Sequence, residues 1–402
     1  MQLDPTGHPT TPRGFAAALH TCGIKVSGSP DLALLVSDTA CHWDAVFTTN
    51  AVAAAPVLLG RELLASGRPL RAVLVNSGNA NAVTGQQGIE DARETAKLLE
   101  TSLSLPESSA LVSSTGVIGV PLPMAKIRSG LPAIASLTSS SGGARFARGI
   151  MTTDTRPKHA AISFSHDGGE VRLGGCAKGA GMIHPRMATM LSYLTCDAKL
   201  HPDVLRGAFR RAVDASFNRI SVDGDTSTND TCVLLANGAS GLAEILPGTP
   251  EAARFEEALK ILTAHLAREI VRDGEGATTV VRLDVVGARD ADQAERVARS
   301  VCNSPLVKCA IHGRDPNWGR ILCAAGYAGA GVVPHSVDLS IQEVPVLVRG
   351  TPVSFDAPAL SGSMRGEEVK IRLDLGQGGA ETTFWTCDFS AEYVSINADY
   401  TT

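Results

Sequence analysis

Residues Lys178 to Leu191 read KGAGMIHPRMATML, bringing a lysine, two glycines and a threonine together just ahead of an apolar run. The centre of this stretch is Ala188-Thr189. On pattern alone, Thr189 fits a β-branched residue on a buried strand. Chemistry offers another reading. A threonine hydroxyl is a weak nucleophile unless a base lies beside it, and a chain that cuts itself just before the threonine supplies that base as the freed α-amine. With an α-amino pKa of roughly 7.7–8.0, part of that amine is neutral near pH 7 and within reach of its own hydroxyl. The small side chain of Ala188 leaves room for the distorted peptide that attack on the preceding carbonyl requires.

The rest of the composition narrows the class. A chain of 402 residues with 44% hydrophobic and 19% charged residues can bury a large core, and its length suits two or three lobes. The net charge of −5, with no block of lysines or arginines, argues against a nucleic-acid surface. The first residues, MQLDPTGHPTTPRGF, have no basic start followed by an apolar core. The longest greasy stretch, Ala51 to Leu59, is broken by Pro56 and falls far short of the roughly 18 residues a membrane span requires. A cytoplasmic protein is therefore expected. Nine scattered cysteines with no C-x-x-C spacing fit reduced core thiols better than disulfides or a zinc site.

Along the chain, Gly14 to Asn50 alternates short apolar runs with Gly, Pro, Ser and Asp, the pattern of strands joined by turns. Arg71 to Val75 reads as a buried strand that stops at Asn76-Ser77-Gly78, and a helix is expected over Ile89–Leu103. In Ser113-Ser114-Thr115-Gly116 a glycine beside a hydroxyl residue suits either an ordinary turn or a place where backbone N–H groups meet an oxyanion. Met151-Thr152-Thr153-Asp154 can hold a polar substrate or cap a helix. Helices are expected over Met124–Leu137, Pro202–Ser216 and Glu251–Val271, with SSSGG (139–143) as a flexible spacer. A hairpin is expected around His166-Asp167-Gly168-Gly169. Asp223-x-Asp225-x-Ser227 imitates the start of a calcium loop, but Thr228 stands where glycine is required and Leu234 where glutamate is required, so calcium is rejected. Ser304 to Gly331 reads as a strand, a loop and a glycine-rich element whose Trp318 and Arg320 pack or line a pocket. Ser336 to Asp388 alternates as short strands, and the terminal YVSINADYTT begins with strand-like residues.

The segment KGAGMIHPRMATMLSYLTCDA (178–198) resembles the autoprocessing segment of the ornithine acetyltransferase, or glutamate N-acetyltransferase, family. Further blocks match in the same order: VNSGNANAVTGQQGIEDA (75–92), SSTGVIGVPLP (113–123), IMTTDTRPK (150–158), SFNRISVDGDTSTNDT (216–231), DGEG (273–276), SPLVKCAIHGRDPNWGR (304–320) and YVSINADYTT (393–402). One departure is Val83, where members usually carry cysteine.

The resemblance implies an α/β fold with sheets layered between helices, an αββα sandwich, and a smaller α+β C-terminal lobe. The expected division is a main lobe 1–285 and a C-terminal lobe 286–402, with mature chains 1–188 and 189–402 assembled as a heterotetramer. It further implies acetyl transfer from N2-acetyl-L-ornithine to L-glutamate through an ester on Thr189, with cleavage between Ala188 and Thr189. Thr115 and Gly116 would form the oxyanion hole, and Thr152, Lys178, Glu275, Asn397, the Thr402 carboxylate and Thr189 itself would contact substrate. Thr153 is the alternate to Thr152. No metal or other cofactor is implied, and acetyl-CoA enters as a substrate only in bifunctional members. A self-cleaving aminopeptidase and a non-catalytic amino-acid-binding protein remain the alternative readings.

Overall fold

The computed structural model describes residues 1–184 and 190–399. Its first sheet has nine strands. The spatial order is Gln2–Asp4, Lys158–His166, Gly169–Lys178, Leu191–Cys196, Thr231–Ala236, Leu32–Phe47, Leu70–Asn79 and Ala110–Val117, with Phe15–His20 pairing Leu32–Phe47 off this path. Leu32–Phe47 belongs to two leaves of this sheet. Residues 42–47 pair with 231–236, whereas residues 32–36 pair with both 15–20 and 72–76, and the ladder to Leu70–Asn79 is irregular between Val36 and Cys41.

The period-2 alternation of each strand then decides what each leaf covers. Ala33, Leu35, Val73 and Val75 of one leaf share a core with Cys176, Tyr193, Val233 and Leu235 of the other. Phe146 stands edge-on to Tyr193 in that layer, with ring centroids 5.4 Å apart. The opposite faces turn outward to helices. Leu173, Leu194, Cys232 and Leu234 pack on helices Pro202–Asp214 and Pro250–Arg272, while Leu32, Leu34, Leu74 and Val112 pack under Gly85–Ser102 and Met124–Ala135. Helix, sheet, sheet, helix is the layering the sequence led us to expect. Helix Pro250–Arg272 shows why the segments take their places: Phe255, Leu259, Leu262, Leu266 and Ile270 recur at helical spacing on the buried face. The Thr249 side chain caps its start by accepting from the Ala252 N–H at 3.2 Å.

A second sheet of seven strands runs in the order Thr351–Pro352, Val344–Val348, Asp338–Ile341, Glu368–Asp374, Val280–Ala288, Ala380–Cys387 and Ile220–Ser221. Val281, Leu283 and Val285 face a core shared with helices Ala291–Cys302 and Trp318–Gly326. The expected lobe boundary at 285/286 falls inside the central strand Val280–Ala288 of this sheet.

Local expectations fail in three places. SPLVKCAIH is a helix, Pro305–His312, rather than a strand, because Ser304 caps it and Pro305 opens its first turn. The tail YVSINAD lies in a helix, Ala391–Asp399, not a strand. Ser139 is not a free spacer but exchanges two backbone hydrogen bonds with Ala17, at 2.9 and 3.0 Å, and Gly143 already begins helix Gly143–Gly149. Of the two readings of Trp318 and Arg320, packing holds: Trp318 packs against the second core and Arg320 donates to the Leu306 carbonyl.

Candidate active site

Strands Leu70–Asn79 and Ala110–Val117 run parallel, and their register slips where Gly78 and Asn79 meet Thr115 and Gly116. Gly116 has φ of 135°, and a Cβ there would run into the Gly78 carbonyl carbon. Only glycine fits so close a backbone approach at that φ. From the other leaf, Lys178 closes strand Gly169–Lys178 and its Nζ lies 3.2 Å from Thr115 Oγ1.

Beneath them is a set of buried charges. Lys158 Nζ lies 2.6 Å from Asp154 Oδ1 and 2.6 Å from Asp273 Oδ2, and both the Lys158 and the Asp154 side chains are 0% exposed. Asp154 also accepts from the Gly179 N–H at 2.7 Å and the Thr152 N–H at 3.1 Å. Asp273 accepts from the Thr155 backbone and hydroxyl. Burial by itself would raise the Asp154 carboxyl, but Lys158 and Lys178 outweigh it and bring it down to about 2. Burial pushes the Lys178 ammonium down, and the nearby charge of Asp154 opposes that.

The mouth is made by later segments. Glu275 follows the C-terminus of helix Pro250–Arg272, and its backbone N–H donates to the Ala180 carbonyl at 2.9 Å. Gly181 has no room for a side chain, since a Cβ would meet the Glu275 carboxylate. Helix Ala391–Asp399 lies across this edge. Asn397 Nδ2 donates to Glu275 Oε2 at 2.8 Å, Tyr393 OH to Asp223 Oδ2 at 3.3 Å, and Ser390 Oγ to the Gly276 carbonyl at 2.6 Å. Asp223 also takes the backbone N–H groups of Met182 and Ile183, at 2.5 and 2.9 Å. Burial lifts its carboxyl to about 6.

One cleft of about 720 Å³, counting its open mouth, is therefore lined by Thr115, Gly116, Thr152, Lys178, Glu275 and Asn397, with Thr153 beside Thr152. These six expected residues come from five separate segments of the chain, Thr115 and Gly116 being neighbours on one strand. Ala188, Thr189 and Thr402 lie outside the described residues. The neighbour of Thr189 is described: the Met190 N–H donates to Asp230 Oδ1 at 2.8 Å and its carbonyl accepts from Thr231 N–H at 3.1 Å. Sequence reading missed Lys158 and Asp273 and took Asp154 for a substrate or capping group rather than the partner of Lys158, although T-T-D-x-x-x-K sets a carboxylate and a lysine four apart. It also passed over Asp223, Asp225 and Tyr393, all of which line the cleft. Asp223 and Asp225 are the carboxylates of the rejected calcium pattern, and here they face a substrate-sized space.

The ArgJ family model matches residues 16–402. The chain is 48% identical to the arginine biosynthesis bifunctional protein ArgJ of Symbiobacterium thermophilum, over 98% of this chain and 99% of that protein. It is 48% identical to the protein of the same name from Deinococcus radiodurans, over 99% of this chain and 100% of that one. The crystal structure of the arginine biosynthesis bifunctional protein ArgJ from Bacillus halodurans matches with a TM-score of 0.52 and 40% identity, over 53% of this chain and 100% of that chain. Matched along almost its whole length by the family model and by these relatives, the chain belongs to the ArgJ family.

Proposed function

We propose that this chain transfers an acetyl group from N2-acetyl-L-ornithine to L-glutamate, in arginine biosynthesis, through an ester on Thr189. The observation that carries the reading is the convergence on one cleft of the Thr115-Gly116 pair, a buried lysine and several carboxylates. Such a cleft suits a substrate that is both cationic and anionic. The chain would first cut itself between Ala188 and Thr189. The freed α-amine of Thr189 then takes the proton of its own hydroxyl as Oγ attacks the acetyl carbonyl. The resulting oxyanion accepts from the Thr115 hydroxyl and the Gly116 N–H. Collapse breaks the C–N bond, and the α-amine of ornithine leaves with the proton. Glutamate's amine attacks the ester in the same way and departs as N-acetylglutamate. Lys178 and Thr152 would meet substrate polar groups, while Glu275, Asn397 and the Thr402 carboxylate would receive the side-chain ammonium of ornithine. This chemistry calls on neither a metal nor a nucleotide.

Chain length supports the cut. The part after residue 188 would hold 402 − 188 = 214 residues, or 214/402 = 53% of the chain, the same share that the whole Bacillus halodurans chain covers. We expect the two pieces to stay together, as a heterotetramer of two copies of each, in the cytoplasm. Among the described residues no helix is long and apolar enough to cross a membrane. The relatives' name, bifunctional protein, favours a second activity in which acetyl-CoA acetylates glutamate through the same ester.

A denaturing gel with N-terminal sequencing tests the reading. Freshly purified protein gives two bands, one starting Thr-Met-Leu-Ser, and incubation with acetylornithine alone adds an acetyl group to that peptide. Thr189→Ala stays as one chain and is inactive. An intact yet fully active wild type would overturn the mechanism. Free acetate in place of N-acetylglutamate would point to a hydrolase, and ligand binding without cleavage or turnover to an amino-acid-binding protein. Glutamate with acetyl-CoA, and no acetylornithine, reads the second activity.

A further inference from the structure

We propose that Lys178 is a positioning residue of the oxyanion hole: as an ammonium it fixes the direction of the Thr115 hydroxyl, and through it the stabilisation of the tetrahedral intermediate. The inference rests on the acyl-transfer reading above, and it replaces the substrate contact given there to Lys178 with this task.

The argument is one of donors and acceptors. Lys178 Nζ and Thr115 Oγ1 are 3.2 Å apart, with Lys178 only 4% and Thr115 only 8% exposed. An ammonium has three donors and no acceptor, so in this pair the threonine oxygen must accept. Its single proton is then left for another partner, and Thr115 lines the cleft. A neutral amine reverses the choice. It can accept, the hydroxyl can turn to it, and the cleft loses a donor. The charge of Lys178 thus sets whether the hole is complete.

The surroundings of Lys178 bear on that charge from every side. Asp154, Asp230 and Glu275 favour the ammonium, whereas burial, Lys158 and Lys25 disfavour it. Lys158 is itself held between Asp154 and Asp273. A lysine meant only for a substrate carboxylate would have no use for a bond to the hydroxyl that polarises the acetyl group. The two roles also differ in kinetics. A carboxylate binder acts on KM, while a group that orients an oxyanion donor acts on kcat.

The test uses the self-cut enzyme with acetylornithine and glutamate. Wild-type kcat should follow a bell-shaped pH profile, rising as the Thr189 amine becomes neutral and falling at alkaline pH as Lys178 loses its proton. Lys178→Arg, which cannot deprotonate, should remove the alkaline limb. Lys178→Met should lower kcat by roughly 10²–10³, as expected for the loss of one oxyanion donor, with KM for acetylornithine changed by no more than about twofold. Combined with Thr115→Ala it should cost no more than either change alone. The proposal is overturned by a kcat that stays flat into the alkaline range, by a pure KM effect of Lys178→Met, or by losses that multiply in the double variant. Should Lys178→Met fail to fold, the wild-type pH profile still decides. Failure of the acyl-transfer reading shows separately, as the absence of an acetylated Thr189 peptide from wild type.

Discussion

At the floor of the cleft, Lys158 and Asp154 expose nothing of their side chains and Asp273 only 3% of its own, whereas helix Ala391–Asp399 at the mouth has no buried residue. The floor is held by charges that cannot be hydrated, so each group is fixed by the others. The mouth is held by a few exposed or half-buried hydrogen bonds from Ser390, Tyr393 and Asn397. The contrast separates two tasks. On the proposed reading, the oxyanion donors rest on a base where movement is costly, and the groups that would recognise the substrate sit where local opening is cheap.

That contrast can be broken most directly at Lys158. Lys158→Ala leaves Asp154 and Asp273 buried without their shared cation, a change that costs about 3–5 kcal/mol. Urea denaturation at pH 7 measures it. Asp154 is held below its ordinary value, so its contribution is full above about 4 and is lost as pH falls toward about 2. The gap between wild type and Lys158→Ala should therefore narrow over that acidic window. An unchanged midpoint at pH 7 would mean that the floor is not held by charge.

Thr115→Ala comes next and should leave stability nearly untouched. Turnover should fall by roughly 10²–10³, or about 2.7–4 kcal/mol in the barrier, while KM stays similar. A pure rise in KM would move Thr115 from the chemistry to substrate recognition. Truncation after residue 396 probes the mouth in turn. It removes Asn397 and the terminal carboxylate, and KM for acetylornithine should rise tenfold or more, since a hydrogen bond to a charged group contributes roughly 1.5–3 kcal/mol. Folding and self-cleavage should persist; a truncated protein that unfolds would put the tail in the same class as the floor. The smallest effect belongs to Tyr393→Phe, which loses one bond to Asp223 at 3.3 Å. We expect a change of about 0.5–1.5 kcal/mol in KM terms, read in the same assay, and a larger one would promote the helix from cover to clamp.

Periodicity carried most of the fold. The hairpin of Lys158–His166 with Gly169–Lys178, and the helices Met124–Ala135, Pro202–Asp214 and Pro250–Arg272, lie close to where alternation and apolar spacing put them. LVKCAI misled because a short apolar run has no period of its own, and the deciding signal, Ser304-Pro305 as cap and first turn, was there to be read. The tail misled for a related reason: Tyr, Val and Ile favour strands, yet no neighbouring edge takes them up and local bonding makes a helix. In the site, six of the residues that resemblance supplied meet in one cleft, while Ala188, Thr189 and Thr402 lie outside the described residues. The charges beneath them did not show, because Lys158 and Asp273 are 115 residues apart and a pair of that kind has no local pattern.

The strand order of the first sheet has a bearing on subunit exchange. Leu191–Cys196 and Thr231–Ala236 lie side by side, flanked by Gly169–Lys178 on one edge and Leu32–Phe47 on the other, with six residue pairs in each flanking ladder. A cut before Thr189 therefore leaves the second piece wedged into the middle of a sheet whose margins belong to the first. Separating the two means unzipping both ladders and opening the apolar layers on either side, which amounts to unfolding. The nicked enzyme should trade pieces with a labelled pool no faster than it unfolds, and a tag on either piece should bring down both through high salt.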